Sequence, residues 1–256
     1  MPLDVPARFR PAIRALEGLA EHERYRAAFL FGSLARGEAN EASDVDASVV
    51  TAEPVACRSI NHPRIGGVKL DLSFRSFDQL RAQTDEEIGR NERVPMVAES
   101  VVLFDKDGRL TALREEARRV ERRPVEAGEH GHLQFLLHHA DDKARRGDAA
   151  AARLAMAEGL GDLLGIHYRL HRRWWVSNKR RLADLRGWDP AMAELVADFL
   201  TSPEVDAKLR LWDQILARVL EPLGGRKPIE ETSCSCPTCR LDLAALGEPA
   251  GQPPAV

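Results

Sequence analysis

The sequence lacks both a long hydrophobic run and an excess of basic charge. No uncharged apolar stretch approaches the roughly 18 residues that a membrane-spanning helix needs, and the N-terminal Met1-Pro2-Leu3-Asp4 becomes polar too early for a signal peptide. The formal net charge of -3 argues against a surface coated in basic charge for binding long nucleic acids, although it leaves room for a local basic patch. We therefore expect a cytoplasmic protein with no membrane partner.

Cysteine is also scarce, and its distribution is uneven. Three of the four cysteines, Cys234, Cys236 and Cys239, lie in one short segment, which is not the spread of a secreted disulfide scaffold. Structural zinc usually takes four ligands, so a zinc site at these three cysteines needs a fourth ligand from Cys57, a histidine or another chain. A structural zinc ion, redox reactivity and no role are the alternatives.

What is present is an ordinary globular composition in a chain long enough for two domains. Of the 256 residues, 44% are hydrophobic and 30% are charged, so a sizeable core can form without disulfides. The patterning predicts an α+β protein: a mixed sheet flanked by helices over residues 1–123, followed by an all-α bundle of four or five helices over residues 124–223. Residues 224–256 include nine prolines and glycines, which predicts a poorly packed tail.

Hydrophobic periodicity predicts the individual elements of the first region. Helices are expected over 8–25, 77–90 and 110–122, and strands over 27–31, 46–51, 68–74 and 101–104. In the third of these strands the residues alternate. Val68, Leu70 and Leu72 share one face, and Lys69, Asp71 and Ser73 share the other.

Two short polar segments follow the first strand and precede the second. Gly32-Ser33 ends an apolar strand, where glycine lets the backbone approach an anion closely and outward N–H groups suit a phosphate. Asp44 and Asp46 are two residues apart at the start of the next strand and therefore share a face. Magnesium prefers such oxygen ligands. The pattern indicates a site for a phosphate group and a hard cation.

Asp71 offers a third carboxylate, provided that its strand lies beside that of Asp46. Three carboxylates suit two magnesium ions, one for the leaving triphosphate and one for the attacking hydroxyl. Asp71 then either bridges a metal and the nucleophile or acts as the base.

These residues, in this order, resemble the signature of the DNA polymerase β nucleotidyltransferase superfamily. Gly32-Ser33, Arg36-Gly37-Glu38 and Ser43-Asp44-x-Asp46 carry the resemblance, and Asp71 extends it. The likeness is greatest to the small bacterial branch, which includes aminoglycoside nucleotidyltransferases and the antitoxins of nucleotidyltransferase/HEPN pairs.

The resemblance implies two magnesium ions and transfer of a nucleoside monophosphate from a nucleoside triphosphate, and ATP is our candidate donor. By match to the signature, Asp44, Asp46 and Asp71 bind metal, and Gly32 and Ser33 contact the triphosphate. Arg36 either contacts the nucleotide or pairs with Glu38.

One basic segment lies outside the signature. The run from Arg172 to Arg181 holds five basic residues, no acid and two adjacent tryptophans. Lys179 is our candidate for a phosphate contact, because a triphosphate or an anionic acceptor needs positive charge nearby. The alternative is a solvated helix end with one tryptophan in the core.

The leading hypothesis is a magnesium-dependent enzyme that moves AMP onto an acceptor hydroxyl of a small molecule, a protein or an RNA. The alternative is a non-catalytic, antitoxin-like nucleotide-binding module. The sequence identifies neither the acceptor nor the oligomeric state.

Overall fold

The computed structural model describes residues 5–54, 57, 59–232, 237, 238 and 245. The chain divides into two compact units, Met1–Arg123 and Pro124–Val256. The hydrophobic clusters follow the same division, because two lie in the first unit and one in the second. Among the described helices, none is both long and apolar enough to cross a membrane.

The first unit is a mixed sheet flanked by helices, as expected for an α+β protein. The main sheet has the order β3-β5-β2-β1-β6, and β4 pairs with β5. Strands β2 and β5 run parallel, whereas the other pairs are antiparallel. The strands are β1 (Tyr25–Phe31), β2 (Val45–Thr51), β3 (Ile60–Asn61), β4 (Arg64–Ile65), β5 (Val68–Ser76) and β6 (Val101–Asp105), and the helices are α1 (Arg10–Gly18), α2 (Gly32–Ala35), α3 (Phe77–Arg90) and α4 (Arg109–Arg118).

The sheet buries both of its faces, which explains the continuous apolar run in β1. Ala28 and Leu30 join the cluster beneath α1, whereas Ala27 and Phe29 join the cluster beneath α3 and α4. Asp46 lies between Val45 and Ala47, which face α1, so strand alternation turns Asp46 toward the opposite side of the sheet. The same alternation applies to Asp71 in β5.

Local sequence signals fix the start of α3. The Ser76 side chain accepts a hydrogen bond from the Gln79 backbone, and the Gln79 side chain accepts one from the Ser76 backbone. This reciprocal capping satisfies two backbone donors that the helix leaves open. The observed α3 has the predicted bounds.

The expected helix over 8–25 is wrong at its end. The α-helix stops at Gly18, a 3-10 turn continues to Glu21, and Tyr25 already belongs to β1, where it pairs with Thr51. Pairing with a distant strand decides the conformation here, and helical periodicity cannot detect such pairing.

The expected end of the helix over 110–122 is also wrong, because α4 stops at Arg118. The chain that follows is held by Asn91, which adopts the left-handed conformation at φ 50°. The Asn91 side chain donates to the Glu121 carbonyl at 3.0 Å and accepts from the Arg123 backbone at 2.7 Å. The short strands β3 and β4 were not predicted either, since two residues carry no periodicity.

The second unit contains five α-helices among its described residues, in agreement with the predicted four or five. Pro190 occupies the first turn of α8, where its missing N–H costs nothing. The helices are α5 (His130–Arg145), α6 (Ala149–Leu170), α7 (Asn178–Trp188), α8 (Pro190–Thr201) and α9 (Val205–Leu220).

The beginning of the expected tail is hydrogen-bonded to α5. Gln134 donates to the Gly225 carbonyl at 2.7 Å, and Arg226 pairs with the buried Asp141 at 2.7 Å. His138 lies 2.7 Å from the Lys227 carbonyl. Residues 225–227 are therefore attached to the helical unit.

Candidate active site

The acidic residues of the sequence signature lie at one end of the parallel pair β2 and β5. In the strand register, Phe31 of β1 lies opposite Asp46 of β2, and Asp46 lies opposite Asp71 of β5. The residues Phe31, Asp46 and Asp71 therefore lie side by side on three neighbouring strands, and the Gly32 turn directly follows Phe31. Behind this row, Ser73 donates to Ser48 at 3.1 Å, so the next row is also polar.

Gly32 follows β1 and lies against the Asp46 side chain. Its φ is +70°, a conformation that glycine adopts at little cost. A Cβ atom at this position would overlap the Asp46 carboxylate, at 2.9 Å from Cγ. Two separate constraints therefore require glycine at position 32: the positive φ of the backbone and the close approach of the turn to the Asp46 side chain.

Asp44 lies directly before β2, two residues from Asp46, and its carboxylate forms a salt bridge with Lys69. The Lys69 ammonium lies 3.0 Å from Asp44 Oδ2 and 3.0 Å from Asp71 Oδ1. Hydrogen bonds to Asp44 and then to Asp71 raise the pKa of Lys69. Lys69 therefore stays charged and bridges two of the three predicted acids.

His62 approaches Asp71 from the segment between β3 and β4. Its Nδ1 atom lies 2.6 Å from Asp71 Oδ1. Partial burial by itself raises the pKa of Asp71, but hydrogen bonds from Lys69 and His62 outweigh it and hold this pKa below the ordinary value. Asp71 is therefore a carboxylate at neutral pH.

The remaining signature residues surround the turn. Ser33 lies in α2, and its carbonyl accepts from the Glu38 backbone at 2.8 Å. The Arg36 side chain pairs with Glu38 at 3.0 Å and with Glu99 at 3.5 Å, and it is 19% exposed. The structural pairing considered for Arg36 is thus present, and a nucleotide contact would have to form alongside it.

Lys179 belongs to the helical unit. It is exposed in the first turn of α7, directly after a non-helical segment that contains Trp175. The three clustered cysteines, Cys234, Cys236 and Cys239, lie outside the described residues. Cys57 is described, and it is an exposed free thiol.

The three acids of the signature differ in how well their chemistry and their present arrangement suit magnesium. In the part of the chain that the structure describes, no three His, Cys, Asp or Glu side chains are gathered closely enough to hold a metal ion as they stand. The donors of Asp44, Asp46 and Asp71 are nevertheless the carboxylate oxygens that magnesium prefers. The space between Asp44 and Asp71 also stabilises positive charge, because the Lys69 ammonium lies there. The residues fit a hard cation once Lys69 moves aside.

Sequence reasoning missed Lys69 and His62 as members of the site. The signal for Lys69 was available, because strand alternation puts it on the face of Asp71. Its contact with Asp44 depends on the parallel pairing of β2 and β5, which the sequence does not specify. His62 carries no comparable signal, since it lies between two-residue strands.

Part of the N-terminal unit matches a known family of proteins. Residues 13–119 match the model of a family described as "Nucleotidyltransferase domain", a segment that includes Gly32, Asp44, Asp46 and Asp71 and covers less than half of the chain. The match supports nucleotidyl transfer in general. A solved structure of a nucleotidyltransferase-like protein from Exiguobacterium sibiricum is 15% identical, with 84% of this chain and 77% of that chain covered and a TM-score of 0.42. No curated protein matches the chain.

Proposed function

We propose that this protein is a nucleotidyltransferase that moves AMP from ATP onto an acceptor hydroxyl with the help of magnesium. The observation that carries the proposal is the pairing of Asp46 with Asp71 across parallel strands, beside the Gly32 turn. The family match over residues 13–119 supports the same chemistry. A small-molecule acceptor of the aminoglycoside type, a protein side chain and an RNA end are the candidate acceptors.

The triphosphate would be bound at the turn after β1. Gly32 and Ser33 would present backbone N–H groups and a hydroxyl to the phosphates. Arg36 would add charge from its position between Glu38 and Glu99. Lys179, which is exposed at the start of α7, remains the candidate phosphate contact from the helical unit.

Asp44, Asp46 and Asp71 would hold the magnesium ions. When bound, such ions neutralise charge on the triphosphate and lower the pKa of the attacking hydroxyl. The chain's own contribution is to fix the backbone of Asp46 and Asp71 on two paired strands, with Asp44 directly before the first of them. Lys69 would leave the space between Asp44 and Asp71.

Between the two roles considered for Asp71, its surroundings favour that of a ligand. A general base works best when its pKa lies near the working pH, whereas hydrogen bonds from Lys69 and His62 hold the pKa of Asp71 below its ordinary value. A carboxylate that is always deprotonated suits a cation. His62 would orient this carboxylate through its contact with Oδ1.

The Lys69 ammonium also favours a second candidate function. Because it already neutralises Asp44 and Asp71, the site could bind a nucleotide without metal and without turnover, as an antitoxin-like regulatory module would. Metal dependence of ATP binding, followed by pyrophosphate release, separates the two functions.

The decisive experiment measures ATP binding by calorimetry with and without magnesium, and then pyrophosphate release with each class of acceptor. We expect magnesium-dependent binding and turnover, with a loss of turnover of about a thousandfold in Asp44→Ala, because removing a metal ligand costs several kcal/mol of transition-state stabilisation. Asp85→Asn, which removes an exposed acid from α3, is the control and should be active. Absence of ATP binding with magnesium would refute the enzyme, and magnesium-independent binding without turnover would favour the regulatory module.

A further inference from the structure

His62 is an exposed histidine whose backbone is held directly beside Asp71. Its neighbour Asn61 pairs with β5 in an antiparallel ladder, and the carbonyl of Pro63 accepts a hydrogen bond from the Leu70 backbone at 2.9 Å. Pro63 also restricts the residue before it to an extended backbone. The residues on either side of His62 are thus paired with β5, and this pairing places His62 opposite Asp71.

The contact between these two side chains decides which ring nitrogen of His62 carries a proton. Its Nδ1 atom lies 2.6 Å from Asp71 Oδ1. Because the Asp71 carboxylate can only accept a hydrogen bond, Nδ1 must donate, and in the neutral imidazole Nε2 then keeps an unshared electron pair. The His62 side chain is 57% exposed, and Nε2 has no hydrogen-bond partner among the described residues. His62 therefore presents a free nucleophilic nitrogen at the edge of the site.

This nitrogen lies at one end of the row of residues that leads to the turn after β1. Next to His62, Asp71 lies opposite Asp46 in the register of β5 and β2. Asp46 in turn lies against Gly32, where the proposed function places the phosphates. The nitrogen and the phosphate turn are therefore on opposite sides of the two carboxylates. An in-line displacement needs its attacking and leaving groups on opposite sides of the phosphorus.

We propose that His62 Nε2 is a covalent nucleophile, which takes AMP from ATP before the acceptor hydroxyl receives it. The inference rests on the proposed function and specifies its path, which passes through a nucleotidyl-histidine and not directly to the acceptor. Histidine is among the side chains that form covalent intermediates, and such groups work in chains in which one residue orients the next. Here Asp71 orients the imidazole.

Two successive displacements at the α-phosphorus balance the reaction. In the first, Nε2 forms a bond to phosphorus, the bond from phosphorus to the bridging oxygen breaks, and pyrophosphate leaves with the electron pair. The positive charge left on the imidazole faces the Asp71 carboxylate at 2.6 Å. In the second, the acceptor hydroxyl oxygen attacks phosphorus, Nε2 leaves as neutral imidazole, and the hydroxyl proton passes to solvent.

The covalent step can be tested without an acceptor, because it consumes only ATP. The full-length protein with ATP and magnesium should release a burst of about one pyrophosphate per chain and gain the mass of one adenylyl group. Tryptic digestion should place this group on the peptide of residues 59–64, which contains His62 but not Lys69. The adduct should be labile in acid and stable in alkali, because it contains a phosphorus–nitrogen bond.

His62→Asn distinguishes a nucleophile from a residue that only positions Asp71. The asparagine amide can replace the Nδ1 donor, but it has no counterpart of Nε2. We expect His62→Asn to bind ATP with magnesium as the wild type does, to form no adduct, and to lose turnover by at least about a hundredfold. His22→Asn, which changes an exposed histidine of the same unit, is the matched control and should form the adduct. An adduct that persists in His62→Asn, or full turnover by this variant, would overturn the proposal.

Free imidazole provides a second test in His62→Gly. Added imidazole should restore pyrophosphate release and should itself become adenylylated in solution, because it can occupy the space that the side chain has left. A residue that merely orients Asp71 would not give this product. Failure of imidazole to produce it, in a variant that still binds ATP with magnesium, counts against the nucleophile.

The outcomes also separate this proposal from the proposed function. If the wild type binds no ATP in the presence of magnesium, both are refuted. If it binds ATP but forms no adduct, the covalent step is refuted, and pyrophosphate release with an acceptor still decides whether the protein is a nucleotidyltransferase.

Discussion

The Asp46 carboxylate can occupy its position only because Gly32 has no side chain. Any other residue at 32 would place a Cβ atom inside the carboxylate, and it would also have to adopt a φ of +70°. Gly37 has no such contact. That residue has a similar φ of +73°, but no atom lies within 4 Å of a Cβ built there. Substitutions at these two glycines therefore distinguish the cost of backbone strain, which both share, from the cost of steric overlap, which arises only at Gly32.

Gly32→Ala should be the more damaging of two otherwise similar substitutions. Gly37→Ala costs about 1 kcal/mol of unfolding free energy, from the positive φ alone. Gly32→Ala should cost at least about 1 kcal/mol more and should also abolish ATP binding, because Asp46 must move. Urea denaturation and calorimetry measure both quantities, and equal costs for the two variants would show that the contact with Asp46 does not constrain the turn.

Lys69 occupies the space in which a cation would be bound. Lys69→Met keeps the length of the side chain and removes its charge, which leaves Asp44 and Asp71 without their shared counter-ion. We expect magnesium alone to bind about tenfold more tightly, because it no longer competes with the ammonium. Calorimetry without nucleotide tests this, and Lys143→Met, exposed on α5, is the control. Weaker magnesium binding in Lys69→Met would mean that the lysine assists the metal.

At the scale of elements, two contacts between neighbouring segments decide where side chains lie. The parallel pairing of β2 with β5 brings Asp46 beside Asp71 and Asp44 beside Lys69. In the helical unit, the packing of the segment before α7 against α6 places the Trp175 ring over Gly165. Neither contact follows from the periodicity of a single element, because each joins residues that are distant in sequence.

Glycines 161 and 165 of α6 should respond in opposite ways to alanine. Gly161 has no atom within 4 Å of a Cβ built there, so Gly161→Ala should stabilise the helix by up to about 1 kcal/mol. Gly165→Ala gains the same propensity but pushes the Trp175 ring away, and it should destabilise the unit by about 1–3 kcal/mol. Denaturation followed by tryptophan fluorescence measures both. A stabilising Gly165→Ala would show that Trp175 is not held against α6.

The whole molecule consists of two units with hydrophobic cores of their own, and the helical unit carries the acid-sensitive group. His167 is fully buried, and its Nε2 atom lies 2.8 Å from Asp189, which Arg218 also binds. Burial lowers the pKa of His167 to about 4; Asp189 opposes this shift, whereas the positive charges of His171 and Arg218 add to it. Between about pH 4 and about pH 6.5, the His167 imidazole is therefore neutral in the folded unit and protonated in the unfolded chain.

The sign of the pH dependence follows from that difference. An unfolded histidine binds its proton near pH 6.5, whereas folded His167 does so only near pH 4. The helical unit should therefore lose up to about 3 kcal/mol of stability as the pH falls from about 6.5 to about 4. Hydrogen exchange at pH 7 and pH 5 should show protection falling in α6, α8 and α9 and less so in the sheet.

His167→Gln provides the matched test, because glutamine keeps an N–H donor for Asp189 and cannot titrate. Its stability should vary less with pH over this range, whatever its absolute value. His139→Gln, exposed on α5, should keep the wild-type slope. An undiminished slope in His167→Gln would assign the acid sensitivity to another group.

The elements that the sequence predicted well are those whose signals are local. The bounds of α3 followed from its periodicity and its capping residues, and the apolar strands followed from their length and the turns that flank them. The errors at Tyr25 and after Arg118 arose where distant partners, Thr51 and Asn91, decide the conformation. The short strands β3 and β4, which carry His62 between them, had no pattern to detect.

By itself, the sequence determined the α+β class and the candidate acids, because spacing and alternation are properties of neighbouring residues. The tertiary structure decided what surrounds those acids: Asp46 beside Asp71, Lys69 between Asp44 and Asp71, and His62 on the exposed side. It also decided that the Trp175 ring packs over Gly165. Such juxtapositions arise from strand pairing and helix packing, whose free energy comes from burying the whole core and not from any short segment.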